Sequence, residues 1–470
     1  MVREEPPREG RPYNSLQEKK QVSEKKYYNE KYRPQFHFTA KENWLNDPNG
    51  CVFYNGEYHL FFQHNPASCE WGNMTWGHAI SKDLVNWRQM KHALLPYEDG
   101  TIFSGSAVVD THNDSKLNLE GKAPLIAAFT HARKPFGQAI AFSNDHGLNW
   151  QYYDKGRHVV LNQGLDDGER DPKIFRHEPS GKWIMVLWVR KGQVRFFSSD
   201  NLLKWKHISD FVGEGFYECP DLIQLPLDGN QGNTKWVLYD AAFNYWVGSF
   251  DGNAFEAESG PFQGDHGNNF YAAQTWNNTR DRVVQIGWMR GGQYPGMPFN
   301  QQMSFSCELS LRSTPSGIRL YRMPVKEIAK LRAGNVFVED HTLERGTPLD
   351  VGFSSDIFDL ELEMIVSSNS SFSIGFCGQE VVYSEARIKC LGQKAGLPPV
   401  NDRVSLRILV DRTSIELFGN GGEISMSSCF LPSAETGSIV LRAKNGSPRI
   451  RTLTLHRLTS AWNEMQSGCR

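Results

Sequence analysis

Three acids in this 470-residue chain stand in unusual company: Asp47 in WLNDPNG, Asp171 in ERDPKIF and Glu218 in FYECPDL. Asp47 and Asp171 are followed directly by proline, and Glu218 by Cys219-Pro220. A residue before proline is pushed out of the helical region, so Asp47 and Asp171 are expected in extended backbone with a fixed direction. A single Asp-Pro is an ordinary turn former. Three acids, each just ahead of an apolar alternating run, are placed where side chains can point into one central cavity and act as reagents. The flanks of Asp47 strengthen that reading. Trp44 offers an apolar wall, Asn46 and Asn49 offer donors, and Gly50 would let the backbone pass close to a ligand. Gln63, Trp71, Phe103 and Ser104 add amide, hydroxyl and aromatic groups, a set suited to gripping a sugar.

Acids so far apart in sequence need a fold that gathers them. SKDLVNW (Ser81 to Trp87), SNDHGLNW (Ser143 to Trp150) and SSDNLLKW (Ser198 to Trp205) are alike, and GSFDGNAF from Gly248 is a weaker echo. Their recurrence every ~50 to 60 residues, each after an alternating apolar segment, predicts four-stranded propeller blades. Asn55-Gly56 and Lys191-Gly192 supply hairpin turns within them. The fold class is therefore all-β: a five-bladed β-propeller followed by a C-terminal β-sandwich. The expected boundaries are a polar, charged arm over 1–30, the propeller over 31–325, a linker over 326–338 and the sandwich over 339–470. MPVKEIAKLR, a short amphipathic piece, leads into the linker. VSLRILVDRTSIELFGNGGE shows the alternation of paired strands, with turns at Asp411-Arg412 and Asn420-Gly421-Gly422.

A formal net charge of −2 argues against a nucleic-acid partner. No apolar run approaches the roughly 18 to 20 residues of a spanning helix. The charged first thirty residues show no apolar segment of signal-peptide type, so a secreted or periplasmic location is expected if a leader was removed, and a cytoplasmic one otherwise. The eight cysteines show no pairing or metal-ligand spacing and are expected as buried free thiols. His64 and His78 are expected to be structural, no metal is expected, and Asp221 is a candidate for orienting its neighbours. Glu308 and Asp265 have no assigned role.

WLNDPNG, RDPK and YECPDL resemble, in order, the three signature boxes of glycoside hydrolase family 32, the invertase, levanase and inulinase family. FFQHNP, WGNMTWGH, FSGSA and VDRTSIELFGNGGE are similar to further family segments, and the resemblance runs from about Tyr32 onward. It implies a retaining β-fructofuranosidase that needs no metal or organic cofactor and takes an oligo- or polysaccharide containing β-fructofuranosyl units. Carried over by position, Asp47 resembles the nucleophile, Glu218 the general acid/base, and Asp171 the carboxylate that holds fructose hydroxyls. Arg170, Asn46, Gln63, Trp71, Phe103 and Ser104 match pocket positions, and Trp288 in IGWMRGG matches a further aromatic.

Retention requires the two reacting carboxyls ~5 to 5.5 Å apart. Phe216, Tyr217 and Cys219 are apolar neighbours suited to keeping a proton on Glu218, whereas the amides around Asp47 suit an ionised carboxylate. EWGNMTWGHA and PFNQQMSFSCELSLR look more like bacterial levanases and exo-inulinases than sucrose-6-phosphate hydrolases. Exo-acting release of fructose is therefore the leading expectation. A sucrose-specific invertase and a fructosyltransferase are the alternatives, and a sugar-binding protein on the same scaffold would not need all three acids. Ser306-Cys307 departs from the Pro-Arg of many relatives.

Overall fold

The computed structural model describes residues 27–118, 120, 122–432 and 437–462. Most of the expected N-terminal arm, and Cys469, lie outside the described residues. Strand pairing divides the first part of the chain into five antiparallel groups of four. Their first strands are Asn43–Tyr54, Thr101–Val109, Arg170–His177, Asp221–Leu227 and Phe270–Thr275. These five pack around the propeller axis. The fourth and fifth groups are also joined by one parallel bridge, Leu227 to Leu311.

The sequence repeat is the turn from the third to the fourth strand of a group. Asp83 accepts the backbone N–H groups of Val85 and Asn86, and the Trp87 indole donates to the Leu84 carbonyl at 3.2 Å. Asp145 with Trp150, and Asn201 with Trp205, repeat the arrangement. The polar residue closes the turn and the tryptophan covers it, which is why the pattern survives without wider similarity. In the fourth group Asp251 accepts from Asn253 and Ala254, so the weaker echo at Gly248 is the same turn without its tryptophan.

The ring closes between the first and fifth groups. Asn43 and Trp44 pair in parallel with Phe299 and Asn300, and Asn277 exchanges backbone hydrogen bonds with Cys51 and Phe53. The Asn277 side chain donates to the Ala107 and Ile174 carbonyls, so it stitches three groups together.

Two six-stranded sheets form the sandwich around a core that includes Phe358, Leu360, Ile374, Ile408 and Leu453. The expected linker differs from the structure. Lys326–Leu331 is a 3-10 helix anchored by buried Ile328 and Leu331, and strand Arg332–Thr342 already pairs with Arg449–Leu458 in the sandwich. Alternating VFVE over Val336 to Glu339 suits that edge, so residues 332–338 are strand rather than tether.

Propeller and sandwich share a buried polar seam. The Asp411 carboxylate accepts the backbone N–H groups of Gln35, Phe36 and His37 at 2.7 to 3.1 Å. The His37 ring lies between Asp411 at 2.9 Å and Glu416 at 2.8 Å. Burial opposes a proton on His37, but hydrogen bonds to Asp411 and Glu416 outweigh it and lift the pKa to about 9. The folded chain thus holds this proton more tightly than the unfolded chain. The resulting stability is fully present below the ordinary value of 6.5 and is lost as pH rises through about 9. Thermal unfolding should therefore show the melting temperature falling across that window. His37→Gln, which lacks the charge, should melt lower at neutral pH by about 3 kcal/mol of stability and decline less steeply toward alkaline pH.

Candidate active site

All five inner strands begin at the same end of the ring, and a pocket of about 540 Å³ opens there. Three of these strands carry a bulge at that end. Pairing slips between Leu45 and Pro48, between Ile102 and Gly105, and between Tyr271 and Gln274. A bulge re-aims the residues it contains, and these contain Asn46, Asp47, Phe103 and Ser104. At the third inner strand, and in the loop just before the fourth, backbone conformation redirects the side chains. Asp171 has φ 67, Glu218 φ 45 and Cys219 φ 43, a region uncommon for residues with a side chain. The extended backbone expected for Asp171 is thus corrected. Its N–H donates to the Thr130 hydroxyl at 2.9 Å, which helps hold the left-handed turn against the proline.

Asp47, Asp171 and Glu218 all line this pocket. Asp47 is held through both oxygens, by the Asn46 amide at 3.0 Å and the Ser104 hydroxyl at 2.6 Å. Asp171, only 6% exposed, accepts the Cys219 N–H at 3.0 Å. The Cys219 thiol sits 3.4 Å from Asp171 and 3.8 Å from Asp47. Glu218 accepts from Arg170 at 3.0 and 2.8 Å through one oxygen and from the Tyr271 hydroxyl at 2.6 Å through the other. Arg170 in turn stacks over the Trp188 ring, 4.3 Å from its centre.

The amide expected beside Asp47 is present, but burial acts against it, and the surroundings of Glu218 differ from those expected. Burial, then the charge of Glu218, raises the Asp47 pKa, against the opposing hydrogen bonds from Ser104 and Asn46. Burial also lifts Asp171, to about 7; Arg170 pulls it down, while Glu218 and Asp47 add to the rise. Glu218 is more open than Asp171, and a guanidinium and a phenol hold it rather than an apolar pocket. Phe216, expected beside it, is buried against Trp246 instead.

Asn46, Gln63, Trp71, Phe103, Ser104, Arg170 and Trp288 line the pocket with the acids. Trp71 is 59% exposed and meets Phe103 edge-on, while buried Gln63 leaves its carbonyl oxygen without a partner. Trp44 does not line the pocket. Its indole N–H donates to Asn46 at 2.8 Å and its ring meets Trp288 edge-on, so it buttresses the wall from behind. Gly50 serves packing rather than ligand approach, because a Cβ there would meet Phe61 at 2.6 Å and Trp76 at 2.9 Å. His64 bonds the Trp44 carbonyl and stacks on His92, and His78 stacks on Phe61, which fits structural roles. Among the described residues no cluster has the make-up of a metal site. Ser306 and Cys307 are buried away from the pocket, so the departure at that point does not touch it.

Tyr271, Arg290, Phe136 and Lys134 line the pocket without having been singled out in the sequence. Tyr271 opens its inner strand as Asp171 does, and that position was its only signal. The undecided acids separate: Asp265 is buried with Arg322, Ser425 and Ser427, whereas Glu308 is a half-exposed partner of Arg282.

Residues 37–324 match the glycosyl hydrolases family 32 N-terminal domain, and residues 350–457 match the family 32 C terminal domain. The chain belongs to glycosyl hydrolase family 32. It is 38% identical to a levanase of Bacillus subtilis, over 94% of this chain and 72% of that protein. It is 32% identical to an extracellular exo-inulinase of Aspergillus niger, over 93% and 96% of the two chains. The crystal structure of an exo-inulinase from Aspergillus awamori superposes with a TM-score of 0.84 at 29% identity, covering 93% of this chain and all of that one. A fructofuranosidase from Schwanniomyces occidentalis solved with fructosylnystose gives 0.84 at 27%, covering 93% and 99%.

The protein is thus a glycoside hydrolase whose pocket concentrates three acids at some cost in stability. For Asp171 the sign follows from its raised pKa. Its proton stabilises the fold below the ordinary value of 3.8, and that contribution is lost as pH climbs to about 7. Asp171→Asn removes the buried charge and should raise the melting temperature at mildly alkaline pH, with no gain in acid. A scan of unfolding against pH checks both arms.

Proposed function

We propose that this family 32 enzyme releases terminal β-D-fructofuranosyl units from fructans with retention of configuration, and takes sucrose as a lesser substrate. In the first step Glu218 protonates the glycosidic oxygen while an Asp47 oxygen attacks the anomeric carbon, forming a fructosyl ester and freeing the leaving sugar. In the second step Glu218, now a carboxylate, takes a proton from water, which attacks the same carbon and releases Asp47. Asp171 accepts hydrogen bonds from the fructose hydroxyls. The carrying observation is that the three acids occupy one pocket, with Ser104 and Asn46 fixing Asp47 and Arg170 and Tyr271 fixing Glu218.

Similarity to the levanase and exo-inulinases supports fructans as substrates, and the extracellular relatives support a secreted location. Exo action is supported by the floor. Below the acids the axis is filled by Lys173, Asp221, Thr275 and Gln274, so a chain end can enter but the middle of a chain has no way through.

Asp47→Asn should stay folded and lose about 10⁴-fold or more in kcat, because the amide cannot form the ester. Near-native turnover would overturn the nucleophile role. Glu218→Gln should slow fructan hydrolysis far more than hydrolysis of an aryl fructoside, whose leaving group needs little protonation. Early products of levan and inulin should be free fructose. A ladder of oligosaccharides appearing first would refute exo action, and activity confined to sucrose would make the protein an invertase.

A further inference from the structure

The propeller's contact with the sandwich does not end at the buried seam. Residues 265–269 run alongside strand Ile424–Cys429 much as an added strand would. His266 N–H donates to the Ser425 carbonyl at 2.8 Å and Asn269 N–H to the Ser427 carbonyl at 3.1 Å. The approach is so close that a Cβ on Gly267 would lie 2.1 Å from the Ser427 oxygen. The Asn269 carbonyl oxygen on its side chain accepts the Cys429 N–H at 2.7 Å. Its amide donates to the Arg290 carbonyl at 2.6 Å, and its backbone carbonyl accepts the Arg290 N–H, also at 2.6 Å. One side chain thus grips the sandwich with one end and the pocket rim with the other.

What it grips leads to the acid. Arg290 lays its guanidinium 4.6 Å from the centre of the Tyr271 ring, and Tyr271 donates to Glu218 at 2.6 Å. Tyr271 also lies two residues after Asn269, on the strand that pairs Phe270 with Met289 and Tyr271 with Trp288. The strand slips register immediately afterwards, at Ala272 with φ 48, where the Ala272 N–H donates instead to the Ala241 carbonyl of the fourth group at 2.7 Å and holds the inner side. Asn269 and Arg290 therefore supply the outer half of its support.

We propose that the sandwich positions the acid/base through Asn269, Arg290 and Tyr271, which makes Asn269 a positioning residue for Glu218. The inference rests on the reading of Glu218 as acid/base. A hydrogen bond matched to a side chain must be placed to a fraction of an ångström to hold it for proton transfer, so loosening the strand end should act on the proton-transfer step more than on fructose binding. The sandwich would then be a working part of the catalytic apparatus, reaching the pocket without lending it a residue.

A double-mutant cycle on the full-length enzyme tests this. Asn269→Ala, Tyr271→Phe and the double variant are compared on sucrose and on an aryl fructoside, with unfolding curves to establish folding. Asn269→Ala should lower kcat on sucrose about tenfold while KM changes little and the aryl substrate is spared. Added to Tyr271→Phe it should cost nothing further, and both single variants should move the alkaline limb of the pH–rate profile in the same direction. Gly267→Ala, which pushes the loop off the sandwich, should reproduce the pattern. Arg290→Gln, altering an exposed side chain, serves the same cycle if either of the others fails to fold. Additive losses, or equal losses on the two substrates, would overturn the proposal. Failure of the underlying reading looks different: Glu218→Gln itself would then harm both substrates alike.

Discussion

An ion pair on the propeller axis holds the three-acid pocket in register. Lys173 and Asp221, 2% and 1% exposed, meet at 2.9 Å directly below the pocket. A single Asp221 oxygen also accepts from the Tyr239 hydroxyl at 2.9 Å and from the Thr275 N–H and hydroxyl at 2.8 Å. The Lys173 ammonium completes its shell on the Thr275 carbonyl and hydroxyl. Lys173 lies two residues beyond Asp171 on one strand, and Asp221 lies three beyond Glu218 at the start of the next. Joining them fixes the third, fourth and fifth inner strands at one height. Breaking such a pair from one side leaves a buried charge, which costs about 3 to 5 kcal/mol. The acids above can afford left-handed backbone because the chain below them is held this firmly.

A second polar lock sets the sandwich against this ring. Asp411 and Glu416, both from the VDRTSIELFG stretch, take His37 between them, and Glu416 also accepts from Arg322 and from the Phe305 N–H. Gln301 and Gln302 carry the same division into adjacent residues. Gln301 accepts from the Trp288 indole at 3.0 Å on the pocket side, while Gln302 donates to Ser414 at 3.0 Å on the sandwich side. Propeller and sandwich are thus joined by directional contacts that fix orientation more than a flat apolar face would.

Much of this was legible in the sequence because the signals were local. Turn chemistry at Asp83, Asp145 and Asn201 is written in contiguous residues, and so is the alternation that marks each strand. Asp47 with Asn46, and Arg170 with Asp171, sit side by side in the chain, and the structure keeps both pairs in one pocket. Partners from distant strands were not legible. Tyr271 and Arg290 carry no local pattern, and Trp44 looked like a pocket wall because nothing in WLND shows that its indole bonds Asn46 and packs on Trp288 instead. The surroundings of Glu218 were hidden on the same ground. Chain neighbours of Glu218 are apolar, but its spatial neighbours are Arg170 and Tyr271, from other strands. The strand at Arg332 was missed because its partner, Arg449–Leu458, lies more than a hundred residues away.

On the proposed mechanism Asp47 becomes covalently bonded to fructose during turnover. This is tested most directly by quenching the enzyme in acid during reaction with an activated fructosyl substrate, digesting it, and locating the modified residue by mass spectrometry. One peptide should be heavier by a fructosyl group, with the added mass on Asp47 and absent from Asp47→Asn. A fructosyl group on another residue, or inversion at the anomeric carbon with no adduct at any time, would contradict it.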